Sequence, residues 1–82
     1  MSYRPHLESG ALRQMHGLPE HASGMLVTLL ARICDDPYDP VFSAPTGAPR
    51  RRVADVGDFG FIVFVVDETA VLIRVFDVVW TG

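Results

Sequence analysis

The chain has 82 residues, of which 49% are hydrophobic, and its formal net charge is −3. It is too hydrophobic for a disordered chain, and its length predicts one domain over residues 1–82. Cys34 is the only cysteine, which excludes an intrachain disulfide and a multi-cysteine metal site, and the apolar runs are too short to cross a membrane. We therefore expect a cytoplasmic domain that uses no metal and no cofactor.

The positive charges are unusual in kind and in position. All seven cationic residues are arginine, and three of them are consecutive, at Arg50–Arg52. An acidic chain lacks the long-range field that attracts most nucleic-acid binders, but clustered arginines can still hold phosphate locally and bidentately. The alternative is that the cluster lines a solvated strand face or pairs with the acidic residues Asp55, Asp58 and Asp77.

The first 17 residues predict a short strand and a short helix. Residues 2–7 can form a strand, which Pro5 restricts to an edge or an end because proline has no amide donor. Ser9 is placed to cap a helix over Gly10–His16, which Gly17 then ends.

A longer second helix follows. Pro19 and Glu20 suit its first turn, and the helix is expected to continue to about Cys34. The dipeptide Asp36-Pro37 then ends it, since a residue before proline is disfavoured in helical conformation. Its apolar stripe has helical spacing and consists of Met25, Leu26, Leu29, Leu30 and Ile33.

The second half of the chain predicts a loop and three strands. Residues 37–49 hold four prolines and fit neither a helical nor a strand period, which indicates a long connecting loop. Arg50–Val56 and the two apolar runs within Phe59–Trp80 are rich in β-branched and aromatic residues, and the runs are separated by Asp67-Glu68-Thr69. The order β-α-α-β-β-β predicts an α+β fold, with a two-helix hairpin on one face of a curved, mostly antiparallel four-stranded sheet.

Four segments in this order carry a family resemblance: LESGALRQMHGLPEHA, ICDDPYD, RRRVADVGDFGFIVFVVD and AVLIRV. Together they resemble the RelE/ParE superfamily of toxins from bacterial toxin–antitoxin modules. The resemblance covers nearly the whole chain, and it implies the same fold, in which a helical hairpin lies across a curved antiparallel sheet.

The resemblance also implies a function and a set of partners. RelE-like members cut messenger RNA on the ribosome without a metal, ParE-like members inhibit DNA gyrase, and a cognate antitoxin silences both. We therefore expect a toxin, either an endoribonuclease that meets ribosome and messenger RNA or a non-nuclease toxin with a protein target. A third alternative is an interaction module that keeps the scaffold without activity.

The candidate site follows from the same resemblance. It implies that Arg52 faces phosphate at the beginning of the arginine-bearing strand, that Arg50 lies on the same side by strand alternation, and that Arg74 joins them from the last strand. The family's arginine after the Gly-Asp-aromatic turn is Gly60 here, so the basic site is incomplete. We predict phosphate or RNA binding by these three arginines and identify no catalytic residue.

Two polar residues interrupt the last strand. Arg74 and Asp77 are three positions apart, so regular alternation predicts opposite faces, with Arg74 on the open one. The apolar hairpin edge that ends at Trp80 is expected to be open, where it would suit an antitoxin segment or a homodimer.

Overall fold

The computed structural model describes residues 2–82, which form two helices and five strands. The elements are β1 (Arg4–Leu7), α1 (Ser9–His16), α2 (Glu20–Asp35), β2 (Ala44–Pro45), β3 (Arg51–Val56), β4 (Gly60–Asp67) and β5 (Leu72–Trp80). The predicted α+β class and the predicted order of helices and strands are confirmed, with one strand more than expected.

All five strands belong to one sheet, in the order β1-β5-β4-β3-β2. The pairings β5–β4, β4–β3 and β3–β2 are antiparallel, and β1 pairs parallel with β5. The sheet is therefore mixed but mostly antiparallel, as predicted. Pro5 lies in the edge strand β1, where a missing amide donor costs no central ladder bond.

The prediction of four strands is wrong by one. Strand β2 lies inside the segment that was expected to be a loop, and it pairs Ala44 with Val53 and Pro45 with Arg52. Two residues carry no recognisable strand period, and Pro45 argues against a strand in sequence. An edge pairing tolerates that proline because only one side of the strand needs hydrogen bonds.

The hydrophobic core lies between the helices and one face of the sheet. Helix α2 runs from Glu20 to Asp35, close to its predicted bounds, while α1 begins at Ser9 itself, so Glu8 rather than Ser9 occupies the capping position. The buried core residues are Ala11, Leu26, Leu30, Ile33, Cys34, Ala54, Val56, Ile62, Phe64, Val66, Ile73, Val75 and Val78. Burial, and secondarily the charge of Asp35, raise the pKa of the Cys34 thiol, so this side chain behaves as a small hydrophobe.

A β-bulge interrupts the pairing of β4 with β5. Val63 pairs with Asp77, but the next residue, Phe64, pairs with Val75. Phe76 is therefore an extra residue of β5 without a partner in β4, and it is exposed. A bulge of this kind changes the side-chain alternation of everything that follows it.

The bulge overturns one expectation about the last strand. Arg74 pairs with Val65 and Asp77 pairs with Val63, so both lie on the face away from the helices rather than on opposite faces. Beyond the bulge, Val78 is buried in the core and Trp80 packs against it. Strand alternation alone predicted the wrong face for half of the strand.

The outer edge of the hairpin is covered over its first half, where an open edge was expected, and has no strand partner within the described residues towards Trp80. Strand β1 covers β5 from Leu72 to Val75. Farther along, the side-chain carbonyl of Gln14 in α1 accepts a hydrogen bond from the backbone N–H of Val78, at 3.0 Å.

Neither helix in the described residues is long and apolar enough to span a membrane.

Candidate nucleic-acid interface

The sheet face turned away from the helices, here called the open face, carries the candidate site. Its residues alternate with the buried ones along each strand. From the register they are Arg51, Val53, Asp55, Phe61, Val63, Val65, Asp67, Leu72, Arg74, Asp77 and Val79. Valines occupy the centre of this face, and charged side chains lie towards its margins.

Two arginines and a histidine lie in one row across the open face. The register places His6, Arg74, Val65 and Arg51 side by side on four adjacent strands. Since neighbouring strands are about 4.8 Å apart, the backbones of Arg51 and Arg74 are about 10 Å apart, on either side of Val65. Arg51 is exposed and forms no ion pair within residues 2–82. We call these four residues the basic row.

The guanidinium of Arg74 already donates hydrogen bonds to two carboxylates. Its Nε donates to Oδ2 of Asp67 at 2.9 Å, and its Nη1 donates to Oε2 of Glu8 at 3.2 Å. The same Glu8 oxygen lies 3.6 Å from Nε2 of His6. The hydrogen bonds that Arg74 donates, first to Asp67 and then to Glu8, raise its pKa. Arg74 is therefore a charged group with its own counterions.

Arg52 lies on the opposite face and has a structural role. Its residue is only 8% exposed, its Nε donates to Oγ of Ser43 at 2.7 Å, and its Nη2 donates to the Ser43 carbonyl at 3.0 Å. The guanidinium also stacks on the ring of Tyr38, 5.5 Å from its centroid. Ser43 Oγ in turn donates to the carbonyl of Pro37. Arg52 thus fastens the long loop to the beginning of β3.

Arg50 lies beside the same tyrosine. Its backbone is in the left-handed region, with φ at 59°, and its Nε is 3.2 Å from Oε1 of Glu68. The other oxygen of Glu68 accepts a hydrogen bond from the Tyr38 hydroxyl at 2.9 Å. Burial, followed by this hydrogen bond, raises the pKa of Tyr38. Arg50 and Arg52 are therefore both neighbours of Tyr38, at the margin of the sheet.

The structure does not bring the three predicted arginines onto one face. Arg52 pairs with the buried Phe64, whereas Arg74 pairs with Val65 on the open face. Arg50 and Arg52 meet around Tyr38, and Arg74 lies apart from them. Whether any of the three binds phosphate stays a prediction.

Arg51 is the residue that the sequence reasoning missed. It shares the basic row with Arg74, while Arg52 points to the helix side. A signal was present in the sequence, because Arg52 alternates with Ala54 and Val56, both of which are buried. Because side chains two positions apart in a strand share a face, this alternation assigns Arg52 to the core face and Arg51 to the open face.

Gly60, where the family carries an arginine, has no room for a side chain. A Cβ atom there would lie 2.6 Å from the carbonyl oxygen of Val79 and 2.7 Å from the ring of Trp80. Since the first of these neighbours is backbone, the clash cannot be relieved by a change of rotamer. The glycine is required by the close approach of β5.

A concave surface lies apart from the open-face arginines. A cavity of about 250 Å³ lies among α2, the long loop and β3, and is lined mainly by Leu29, Val41, Phe42 and Val53. No group of three or more histidine, cysteine or acidic side chains within residues 2–82 is arranged to hold a metal ion.

Comparisons with known proteins identify the fold. No protein-family model and no curated protein matches the sequence. Among solved structures, the isolated E. coli RelE toxin superposes with a TM-score of 0.87 at 17% identity, covering 99% of this chain and 86% of that one.

Two toxin–antitoxin complexes give the same result. A chain of the RelBE2 complex from Mycobacterium tuberculosis has a TM-score of 0.83 at 15% identity, over 99% of this chain and 100% of that one. A chain of the archaeal RelE–RelB complex from Pyrococcus horikoshii has a TM-score of 0.77 at 17% identity, over 100% and 98%. This protein therefore has the fold of RelE toxins, as the resemblance in sequence implied.

Proposed function

We propose that this protein is the toxin component of a bacterial toxin–antitoxin system, that it acts in the cytoplasm, and that a cognate antitoxin binds it. The observation that carries the proposal is the match to RelE-type structures over essentially the whole chain. Two of those structures are complexes with an antitoxin partner. The inference from fold to function is an analogy, and its test must therefore be functional.

A metal-independent endoribonuclease is the first candidate activity. Attack of a ribose 2′-hydroxyl on the neighbouring phosphate needs cations that neutralise the phosphate and groups that move protons. The open face supplies cations at Arg51 and Arg74, and it supplies an acid–base pair at His6 and Glu8, whose atoms are 3.6 Å apart. The paired state of Arg74 and the absence of a side chain at Gly60 weigh against this candidate.

A non-nuclease activity is the second candidate, and the centre of the open face favours it. Val53, Val63, Val65 and Val79 are only partly buried there, and no helix covers them. An apolar patch with a charged rim is typical of a protein-binding surface. It would suit a toxin with a protein target such as gyrase, or an inactive interaction module.

Induced expression in bacteria tests the proposal and separates the candidates. Growth, messenger RNA integrity and plasmid supercoiling are followed in parallel. Transcript cleavage supports the endoribonuclease, and loss of supercoiling supports the gyrase-type toxin. Unaffected growth at high levels of folded protein would contradict the toxin proposal and leave the interaction module.

Matched variants then test the basic row. The double variant Arg51→Ala/Arg74→Ala removes both cations from the open face, and Arg13→Ala/Arg32→Ala removes the same charge from the helices. Under the endoribonuclease alternative, only the first double variant loses transcript cleavage. Arg52 is left intact, because an alanine there would remove buried hydrogen bonds and confuse instability with inactivity.

The partner proposal has its own experiment. A small protein encoded in the neighbouring reading frame is co-expressed with a tagged form of this chain. Co-purification together with restored growth supports a cognate antitoxin. Light scattering on the isolated chain measures whether it forms the homodimer, which stays a prediction.

A further inference from the structure

We infer that Glu8 and Asp67 are built-in competitors for a phosphate site formed by Arg74 and Arg51 on the open face. A nucleic-acid phosphate that approaches Arg74 either displaces one of these carboxylates or binds beside it against its negative charge. The inference rests on the proposed function, since it concerns what lowers the nucleic-acid affinity of the binding surface of such a toxin.

The two carboxylates engage two of the five N–H donors of Arg74. They accept from Nε and Nη1 at 2.9 and 3.2 Å, which leaves Nη2 without a hydrogen bond within residues 2–82. Phosphate binds arginine best through two parallel N–H donors. A phosphate that binds through Nε and Nη2 must displace Asp67, and one that binds through Nη1 and Nη2 lies beside the Glu8 carboxylate and is repelled by it.

Other contacts hold the Asp67 carboxylate and the backbone of Glu8. The second oxygen of Asp67 accepts a hydrogen bond from the backbone N–H of Ala70 at 2.9 Å. That N–H, and then Arg74, lower the pKa of Asp67, so its carboxylate stays charged. Glu8 follows β1 directly, and its backbone N–H donates to the carbonyl of Val75. The Asp67 carboxylate is therefore fixed beside the guanidinium, and the fold keeps Glu8 within reach of it.

The local charges oppose the binding of a polyanion. The open face carries the guanidinium groups of Arg51 and Arg74, but also the carboxylates of Asp55, Asp67 and Asp77, and Glu8 contacts Arg74 from beside it. The face therefore offers an approaching polyanion no net attraction. Neutralising Glu8 and Asp67 removes the two counterions that contact Arg74 and leaves Asp55 and Asp77 elsewhere on the face.

The two guanidinium groups can serve one phosphate or two successive ones. Arg51 and Arg74 flank Val65 with their backbones about 10 Å apart, and both side chains are long and flexible. A phosphodiester chain is the ligand that the proposed function implies, and the test below compares it with inorganic phosphate. Phe61 lies on the same face but four residues along β4 from Val65, beside Asp55, so it is not part of the site.

The test is a binding measurement on the purified full chain. The variant Glu8→Gln/Asp67→Asn is compared with the wild type by fluorescence anisotropy, using a single-stranded RNA oligonucleotide at several salt concentrations. We expect binding to be tighter by on the order of tenfold and the salt dependence to steepen by about 0.7 for each additional phosphate that the variant neutralises. The matched control Glu20→Gln/Asp58→Asn has the same change in net charge, on α2 and in the β3–β4 turn.

A third variant assigns the tighter binding to Arg74. Adding Arg74→Ala to Glu8→Gln/Asp67→Asn is expected to return the affinity to the wild-type level, whereas adding Arg13→Ala leaves the increase in place. Thermal unfolding checks that each variant is folded. Asparagine at position 67 keeps the oxygen that accepts from Ala70, and Glu8→Gln alone serves if the double variant does not fold.

The outcomes separate this inference from the proposed function. Tighter binding of RNA and of single-stranded DNA of the same sequence supports it. An equal increase in the control, an unchanged affinity, or tighter binding of inorganic phosphate without tighter binding of the oligonucleotide would overturn it. An increase in affinity without toxicity rejects only the toxin proposal, and toxicity with unchanged affinity rejects only this inference.

Discussion

At the scale of single residues, three consecutive arginines have three different environments. Arg50 adopts a left-handed backbone conformation and pairs with Glu68. Arg51 is exposed on the open face, and Arg52 is buried against Ser43. One tripeptide thus supplies a turn, a candidate ligand contact and a structural hydrogen-bond donor, because successive strand side chains point to opposite faces.

The first prediction concerns Arg52. Replacing it with alanine should lower the free energy of unfolding by about 1–3 kcal/mol, because the carbonyl and hydroxyl of Ser43 lose a buried donor. Urea denaturation measures this change. Arg51→Ala is the matched control and should stay within about 0.5 kcal/mol of the wild type. Equal effects of the two substitutions would show that Arg52 has no structural role.

The second prediction concerns pH. The pKa of Asp67 is lowered, first by the N–H of Ala70 and then by Arg74, so its carboxylate stabilises the fold above its unfolded pKa of about 3.9. That stabilisation is lost as the pH falls through the lower, folded pKa. Urea denaturation between pH 7 and pH 2.5 should show a shallower acid loss for Asp67→Asn than for the wild type. Parallel pH profiles would contradict the assignment.

At the scale of elements, the bulge in β5 decides which residues form the open face. Phe76 has no partner in β4, and it allows Val75 and Val78 to lie in the core while Asp77 points away. Without the bulge, one of these residues would be on the wrong face. Strand β5 therefore accommodates the additional residue Phe76 at the bulge, where its hydrogen-bond ladder with β4 is interrupted.

The third prediction follows from that geometry. Deleting Phe76 should leave a folded protein, with a loss on the order of 1 kcal/mol, because the remaining residues alternate regularly across the sheet. Deleting Val65, at a regular position of β4, should unfold the protein because it reverses the faces of its neighbours. Circular dichroism and urea denaturation measure both. If deletion of Phe76 were as damaging as deletion of Val65, the bulge would be required for folding.

At the scale of the whole molecule, both helices and the sheet share one core. Strand β5 is central to this arrangement, since it pairs with β1 and β4 and contacts both helices. The edge strands of the sheet, β1 and β2, have only four and two residues, which limits where a partner could add a strand. The open face is the surface of the sheet that neither helix covers.

The fourth prediction tests whether residues 1–82 are one domain. Trp80 is the only tryptophan, and it packs edge-on against His21 and Phe59, so its fluorescence reports the packing of α2 against the sheet. Urea unfolding followed by fluorescence and by circular dichroism should give the same midpoint, as in two-state unfolding. Two separated midpoints would mean that parts of the chain unfold independently.

The sequence by itself determined the helices, the three long strands and their order, because local periodicity and breakers such as Pro19 and Pro37 dictate them. The comparisons then confirmed the fold that the ordered segments had indicated. These features depend on neighbours within a few positions along the chain, which a single sequence displays directly.

Only the tertiary structure decided which side chains meet. Strand β2 exists because β3 offers it an edge, the bulge at Phe76 reverses the alternation of β5, and Arg74 meets Glu8 from the other end of the chain. Each of these depends on pairing between distant segments, where a shift of one residue moves a side chain to the other face. For that reason the predicted set of arginines was divided between two faces, and Arg51 took a place on the open one.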